Sequence, residues 1–468
     1  MSTWVNDVHS ELNRTRVREL FRPGSVEEIA QLVRRARLEG VSISIAGKRH
    51  AMGGQQFRAG GSLIDMTGMN QALDLDTKEG HLTVEAGIQW PALIHYLAAN
   101  QQSEPLQWGI IQKQTGTDQL TIGGTLSANS HGRGLKLSPF IQQVESFSLV
   151  SESGELVECS REKNRELFCL AVGGYGLFGV IVRTTLRLAP RQKLERVVEV
   201  IDLTELIPAF ESRIAEGALY GDFQFATDSV SEDFLTRGVF STYRPTDKDP
   251  LPRQRELSED DWRKLIYLGH TNKDEAFRLY ATHYLATSGQ VYWSDTHQLS
   301  TYLDGYHREL DQKMRRAVPA SELITELYIP RASLVAFVEE ARRDFRENGV
   351  DVIYGTIRLI ERDEESYLAW AKEAYACVVF NLHTTHSAEG VEATARAFRR
   401  LNDMALRRGG SFSLTYHKFS SRDQMERAYP NFRRFLELKK QYDPYELFQS
   451  DWYEHYASLF ARAGVNSQ

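Results

Sequence analysis

Apolar residues recur along the chain at two spacings, one typical of helices and one typical of strands. Residues 25–40 show the helical spacing, with Ile29, Leu32 and Val33 on one stripe and Ser25 at the position of a capping residue. The alternation of the two spacings predicts a mixed α/β protein. Further helices are predicted in residues 90–100, 332–349 and 391–410 and within 426–468, and strands in residues 41–47, 62–70, 81–87, 351–360 and 375–385.

The middle of the chain is less regular. Residues 144–160 alternate on both sides of Ser153-Gly154, which predicts a β-hairpin. After Pro190 strand-like runs mix with polar loops. We expect those runs in residues 197–203, 220–227, 236–243 and 277–285.

Three glycine-rich turns adjoin strands in the first 180 residues. Glycine has no β-carbon, so a backbone can approach a pyrophosphate or a flat ring closely there, and successive N–H groups form an anion site. The turns therefore indicate a bound flavin nucleotide. The alternative is that the glycines only supply positive-φ turns between strands. They are Gly47, Gly53, Gly54, Gly123, Gly124, Gly173, Gly174, Gly176 and Gly179.

The third turn matches G-x-G-x-x-G, the fingerprint of a dinucleotide-binding strand, turn and helix. Residues 180–190 follow it and alternate with period two up to a proline, which predicts a strand where the fingerprint needs a helix. A Rossmann unit is therefore not expected. The chain also has no P-loop motif.

Composition narrows the class of protein. The 468 residues exceed what one core usually serves, so at least two domains are expected. A net charge of −7 argues against a nucleic-acid partner. The start lacks a signal-peptide pattern and no apolar stretch is long enough to span a membrane, so a cytoplasmic protein is expected. The 3 cysteines show no metal-binding spacing, and no metal site is predicted.

The motifs AGKRHAMGG, LIDM, VEAG, TIGGTLSANSHGRG, VGGYGLFGVIVRTTLRL and YDPYELFQSDW, in this order, resemble the vanillyl-alcohol oxidase/p-cresol methylhydroxylase superfamily. The sequence is most similar to its sugar-oxidising branch of aldonolactone, alditol and decaprenylphosphoryl-ribose oxidases. The resemblance implies an α+β fold: a two-subdomain FAD-binding domain of p-cresol methylhydroxylase type with an inserted α/β substrate cap. The implied ranges are 1–195 for the FAD domain, 196–425 for the cap and 426–468 for a segment that returns to the FAD domain.

The resemblance implies FAD as the cofactor. It places a covalent bond to the flavin at His50, because an imidazole nitrogen can attack the flavin methyl group. The alternative for His50 is a hydrogen bond within the turn or a phosphate contact. Similar sequences usually have glycine before this histidine and serine or another small residue after it, whereas here Arg49 precedes it and Ala51 and Met52 follow. The implied cofactor-binding residues are Ala46, Gly47, Lys48, Arg49, His50, Ala51, Met52, Gly53, Thr117, Gly123, Gly124, Ser127, Asn129, Ser130, His131, Gly174, Gly176, Gly179, Val180 and Ile181.

The implied catalytic residues are Arg358, Asn381, His383 and Lys418. Asn381 and His383 are two residues apart on a predicted strand and so share a sheet face. Thr356 replaces a glutamate that alditol oxidases carry, which argues against a polyol substrate. His383 or Lys418 is the expected base. Arg358 could instead be a surface cation, and Lys418 a solvated lysine.

The implied reaction is oxidation of a CH–OH group of a sugar, polyol or lactone-like substrate, with hydride transfer to flavin N5 and oxygen as the expected acceptor. One alternative is a FAD dehydrogenase with a quinone-type acceptor acting on a lipid-linked sugar or another alcohol. Another is a flavin-binding redox sensor without turnover. Membrane-spanning segments and nucleic-acid partners are not expected.

Overall fold

The computed structural model describes residues 2–461. Its first part contains two main sheets that flank the glycine-rich turns, besides a short antiparallel pairing of two strands near the start. The helices and strands of this part are β1 (Thr3–Val5), β2 (Thr15–Val17), β3 (Glu19–Phe21), α1 (Val26–Glu39), β4 (Ile43–Ala46), β5 (Ser62–Asp65), β6 (Ala72–Asp76), β7 (His81–Glu85), α2 (Trp90–Asn100), β8 (Trp108–Ile110), α3 (Ile122–Ser127), β9 (Val144–Val150), β10 (Leu156–Ser160), α4 (Arg165–Ala171) and β11 (Val180–Pro190).

The smaller of these sheets is parallel, with strand order β3-β5-β4. Helix α1 precedes β4, and Ser25 Oγ accepts a hydrogen bond from the Glu28 N–H at its start. Residues near the end of the chain extend this sheet, because the Ile43 N–H donates to the Leu447 carbonyl and the Gln449 N–H donates to the Ile43 carbonyl. The strand that leads into the first glycine turn, β4, is therefore hydrogen-bonded on both sides.

The second sheet is antiparallel, with order β10-β9-β11-β7-β6 and β8 paired to β11. Strands β9 and β10 form the predicted hairpin. Strand β11 begins directly after the third glycine turn. The expectation that this turn opens a strand rather than a Rossmann helix is confirmed.

The rest of the described chain builds a third sheet, its covering helices and a C-terminal group of helices. These elements are β12 (Lys193–Asp202), α5 (Leu203–Ala215), β13 (Tyr220–Phe225), β14 (Arg237–Pro245), α6 (Glu259–Thr271), α7 (Lys273–Ala286), β15 (Val291–Trp293), α8 (Tyr306–Met314), β16 (Ala320–Pro330), α9 (Leu334–Asn348), β17 (Val352–Ile360), β18 (Tyr375–Thr385), α10 (Ala388–Leu406), β19 (Ser411–Phe412), α11 (Arg422–Ala428), α12 (Phe432–Tyr442) and α13 (Asp451–Ala461).

This third sheet has eight strands in the order β15-β12-β14-β13-β17-β18-β16-β19. Helices α9 and α10 pack on one face of β16, where Leu323, Leu327 and Ile329 are buried. Helices α6 and α7 cover part of the opposite face, over β12, β14 and β17. The strand positions that alternate with the buried leucines therefore face inward, toward the glycine turns.

The prediction of a strand-like run in residues 277–285 was wrong, because this segment lies in α7. Phe277, Tyr280 and Tyr284 are spaced as one helical stripe and pack with Val198 and Val239 of the sheet below. Aromatic and β-branched residues concealed that spacing in the sequence.

The mixed helix and sheet architecture confirms the predicted α+β class. The division into ranges 1–195, 196–425 and 426–468 stays a prediction, and Met1 and residues 462–468 lie outside the described part of the chain. Among the described residues, every helix is too short or too polar to cross a membrane.

Candidate active site

A cavity of about 890 Å³ lies between the glycine turns and the inward face of the eight-stranded sheet. This volume is at the upper end for ligand sites, so the cavity can hold a large cofactor and a small substrate together. The turns close one end. Residues from β12, β13, α6 and α7 line the other end, which we call the cap end.

The first turn, which follows β4, has a backbone built for close approach. A β-carbon on Gly47 would lie 2.2 Å from Thr121 Oγ1, so no larger residue fits there without displacing the neighbouring turn. Arg49 has a φ of 63°, which points successive N–H groups inward. The N–H groups of Lys48, Arg49 and His50 donate to no other group in residues 2–461. They are free to bind phosphate or ring oxygens.

The second and third turns complete the cradle. Gly123 donates its N–H to the Ala86 carbonyl at 2.7 Å, and a β-carbon there would lie 2.9 Å from the Ala86 side chain. Gly176 and Gly179 have φ values of 75° and 142°, and a β-carbon on Gly179 would lie 2.7 Å from the Val150 carbonyl. Three glycine turns that allow close backbone approach, the first of them with free N–H groups, fit a dinucleotide such as FAD.

Most of the sequence-predicted residues meet at this cavity. Those that line it are Gly47, Lys48, Arg49, His50, Ala51, Thr117, Gly123, Gly124, Ser127, Gly176, Gly179, Ile181, Arg358 and Asn381. The others lie behind this lining or away from it. These are Ala46, Met52, Gly53, Asn129, Ser130, His131, Gly174, Val180, His383 and Lys418.

His50 is buried and belongs to a chain of aromatic side chains. Its Nδ1 lies 2.9 Å from His9 Nε2, and His9 Nδ1 lies 3.1 Å from the Tyr302 hydroxyl. His50 Nε2 has no hydrogen-bond partner of normal geometry in the described residues, although the Gln119 backbone favours the protonated form of the ring. Burial, with the charges of His9 and Lys48, lowers the pKa of His50 to about 2, so the ring is neutral. Sequence reasoning missed His9 and Tyr302, which are far from the turn in the chain.

His131 lies behind the cavity wall and holds a carboxylate that lines it. His131 Nδ1 donates to the Gly132 carbonyl at 2.9 Å. The other ring nitrogen, Nε2, lies 3.0 Å from Glu326 Oε1, so a proton lies between these two atoms. The Tyr328 hydroxyl donates to Glu326 Oε2 at 3.1 Å. Although burial opposes it, His131 and the more distant Arg358 keep the pKa of Glu326 below its usual value. Glu326 is therefore an ionised carboxylate.

Glu326 belongs to an inward face shared by three strands. Asn381 is paired with Ile324 on β16 and with Tyr354 on β17, and Glu326 occupies the next inward position on β16. Arg358 on β17 is buried, and its Nε has no partner in the described residues. The face thus presents a carboxylate, an amide and a guanidinium to the cavity.

The structure places both candidate bases, His383 and Lys418, outside the lining of the cavity. His383 does share a strand face with Asn381, but α6 covers that end, and His383 Nδ1 lies 3.7 Å from Glu322 Oε1 beside His270. Lys418 lies near Gly54, on the far side of the first turn. Their catalytic roles stay predictions.

Two side-chain clusters have donor atoms close enough for a metal ion: His131, Glu326 and Cys377, and His270, Glu322 and His383. In the second, Arg316 donates to His270 Nδ1 at 3.1 Å, which leaves the ring proton on Nε2, facing Glu322 Oε1 at 3.0 Å. That arrangement favours a hydrogen bond. The Tyr306 hydroxyl also donates to Glu322.

The carboxylates Glu322 and Glu326 were missed because β16 was not predicted. Residues 320–330 nevertheless alternate, with glutamates and Ile324 on one face and leucines on the other. That pattern was the available signal. It shows a strand, although it does not show that the polar face meets a cofactor.

Comparison with known proteins agrees with this geometry. A family model described as a FAD binding domain matches residues 18–160. Cytokinin dehydrogenase 4 of Oryza sativa subsp. japonica is 25% identical over 470 positions, covering 91% of this chain and 83% of that protein. L-gulonolactone oxidase of Bos taurus is 28% identical over 43% of the chain, and mitochondrial L-galactono-1,4-lactone dehydrogenase of Arabidopsis thaliana is 27% identical over 43%. These two matches span 44% and 32% of the relatives' own lengths.

The cradle, the cavity and these similarities define a FAD-dependent oxidoreductase. The FAD binding domain matched over residues 18–160 and the similarity to these oxidoreductases support the predicted resemblance to the vanillyl-alcohol oxidase/p-cresol methylhydroxylase superfamily.

Proposed function

We propose that the protein oxidises a CH–OH group of a sugar, polyol or lactone-like substrate and that oxygen reoxidises the cofactor. The observation that supports this most is the ionised Glu326 carboxylate, which faces the cavity beside Arg358 and Asn381. A hydroxyl-bearing substrate needs such donors and acceptors. The names of two relatives, which refer to an oxidase and a dehydrogenase of lactones, support the same substrate class.

FAD, when bound, accepts the hydride and its two electrons from the substrate carbon. The protein handles the proton. As the C=O bond forms, the hydroxyl proton passes to the Glu326 carboxylate. His131 Nε2 at 3.0 Å holds this carboxylate in place, and the Tyr328 hydroxyl fixes its second oxygen. Asn381 and Arg358 then serve as hydrogen-bond donors that orient the substrate's other oxygens.

We also propose that His50 attaches the flavin covalently. The Tyr302 hydroxyl lies 3.3 Å from the Val8 carbonyl, which can only accept, so Tyr302 can donate there and accept from His9 Nδ1. His9 Nε2 then accepts from His50 Nδ1. This arrangement leaves a lone pair on the buried, unpartnered His50 Nε2. A neutral imidazole in that tautomer is the form that acts as a nucleophile.

The test is anaerobic mixing of the purified holoprotein with a panel of sugars, polyols and aldonolactones while the flavin absorbance is followed. Bleaching by at least one member, followed by rapid recovery in air, is the expected result. Bleaching with slow recovery in air and fast recovery with a quinone would favour the dehydrogenase alternative. If chemical reduction bleaches the flavin but no alcohol does, the proposal is wrong and a redox sensor becomes the better explanation.

A second candidate substrate class is an amine. Its support is the similarity to cytokinin dehydrogenase 4, which extends over 91% of this chain, whereas the lactone-oxidising relatives match less than half. A cytokinin belongs in the same panel. Bleaching by the cytokinin and by no alcohol would replace the first proposal with this one.

A further inference from the structure

The cap end of the cavity contains two arginines that share one tyrosine. Arg196 on β12 lies directly across from Tyr243 on β14, and its Nε and Nη2 donate to the Tyr243 hydroxyl at 2.9 and 2.6 Å. The guanidinium carbons of Arg133 and Arg196 lie 4.9 and 5.1 Å from the centre of the Tyr243 ring. Both arginines line the cavity.

Neither guanidinium has a carboxylate that fully neutralises it. Arg196 forms no ion pair within residues 2–461; besides Tyr243, it donates only to Thr287 Oγ1, at 3.0 Å. Three of its five N–H groups are thus used. Arg133 Nη1 forms a long ion pair with Asp222 Oδ1 at 3.8 Å, and its Nη2 donates to the His297 carbonyl, but its buried Nε has no partner there. Burying a charge without a carboxylate partner is costly, so Arg196 in particular favours a bound anion.

Neighbouring histidines respond to the positive charge. His297 packs 4.5 Å from the Tyr243 ring, and its pKa lies well below the usual value because of burial and the charges of Arg133, Arg196 and Lys113. Burial and Arg196 also lower the pKa of His283. Neither imidazole therefore adds to the cation charge, and neither supplies the missing negative charge.

Aromatic rings give the same region flat apolar walls. The Arg196 guanidinium lies 5.2 Å from the Tyr284 ring and 4.7 Å from the Tyr292 ring. Trp262 and Trp293 also line this end of the cavity. A ligand that matches these walls has a flat or compact body that ends in a negatively charged group.

We propose that Arg196 and Arg133 form an oxyanion subsite that binds a carboxylate or phosphate group of the substrate. This assignment rests on the proposed function, because the group bound here belongs to the molecule whose CH–OH carbon is oxidised. The two arginines and the Glu326 face line the same cavity. The subsite thereby selects anionic substrates over neutral sugars.

Calorimetric titration of the holoprotein with benzoate and benzamide tests this subsite. The two probes have nearly the same shape and differ in charge. Charge-assisted hydrogen bonds to arginine are worth about 1.5–3 kcal/mol, so benzoate should bind roughly 10- to 100-fold more tightly. Inorganic phosphate should compete with benzoate. Equal binding of the two probes, or no binding of benzoate and phosphate, would overturn the proposal.

Variants identify the residue. Arg196→Met should abolish the preference for benzoate, whereas Arg196→Lys should retain part of it. Arg237→Met removes an exposed arginine from the start of β14 and should leave the preference unchanged. If both Arg196→Met and Arg133→Met keep the wild-type preference for benzoate over benzamide, the two arginines have a structural role only. Calorimetry measures the heat of binding and does not depend on flavin reduction. The benzoate test can therefore fail while alcohols still bleach the flavin, and it can succeed when no alcohol does.

Discussion

Replacing Glu326 with glutamine tests the proposed chemistry most directly. The amide keeps the side chain's shape. Its NH₂ group can still donate to His131 Nε2, which accepts the hydrogen bond when the His131 ring is neutral. A charge-assisted hydrogen bond is thereby exchanged for a neutral one. The expected loss in unfolding free energy is about 1–2 kcal/mol, small enough for the variant to fold and bind FAD.

The effect on the reaction should be much larger. An amide cannot take the substrate proton, and a positioned general base contributes roughly 10²- to 10⁴-fold. We expect the rate of flavin reduction, measured by anaerobic stopped flow with the substrate found in the panel, to fall by that factor. Glu326→Asp keeps a carboxylate and should lose less.

Glu322→Gln is the matched control. Glu322 is on the same strand and face, also lines the cavity and also contacts a histidine. Within residues 2–461 its partners are His270, His383 and Tyr306, and none of the three is in a glycine turn. We expect less than a tenfold decrease in the reduction rate. The reasoning is refuted if Glu326→Gln retains more than a tenth of the wild-type rate, or if both variants lose the same factor.

Three further outcomes are expected. Acid precipitation of the wild type should leave flavin absorbance in the pellet, and His50→Ala should release it to the supernatant; release from the wild type would exclude the covalent bond. Lys439→Met should lower the unfolding free energy by about 3–5 kcal/mol in urea titrations, because it leaves the buried Asp443 carboxylate unpaired, whereas Lys440→Met on the exposed side of the same helix should have little effect. Stability should fall as the pH drops from 6.5 toward 4, because burial lowers the pKa of His9 to about 4 and the unfolded chain therefore binds the proton first. The free energy of unfolding should decrease by roughly 3 kcal/mol because of this group. A urea midpoint that does not change between pH 7 and pH 5 would contradict this expectation.

The cofactor end of the site could be predicted from the sequence because its determinants are local. A glycine turn after a strand can be recognised within ten residues, as the turn that contains Gly47 can. The same holds for the strand after Gly179, where alternation outweighed a literal fingerprint. FAD, the superfamily and the α+β class followed from such segments.

The cap end could not be predicted in this way, since its contacts join distant parts of the chain. Glu326 meets His131 across 195 positions. Alternation on β18 correctly placed Asn381 and His383 on one face, but the sequence gives no sign that α6 brings His270 against His383. Lys418 follows a two-residue strand, and the local pattern does not determine its direction.

The order in which parts of the chain emerge during synthesis has a consequence for cofactor loading. The strand that leads into the first glycine turn is paired, through Ile43, with residues 447 and 449. The turn itself is held by Met52, whose N–H donates to the Thr415 carbonyl. A ribosome has therefore translated the chain as far as residue 449 before this cradle can close, so FAD insertion follows the synthesis of those residues. Chains that terminate before residue 447 should accumulate as apoprotein even when their cap is complete.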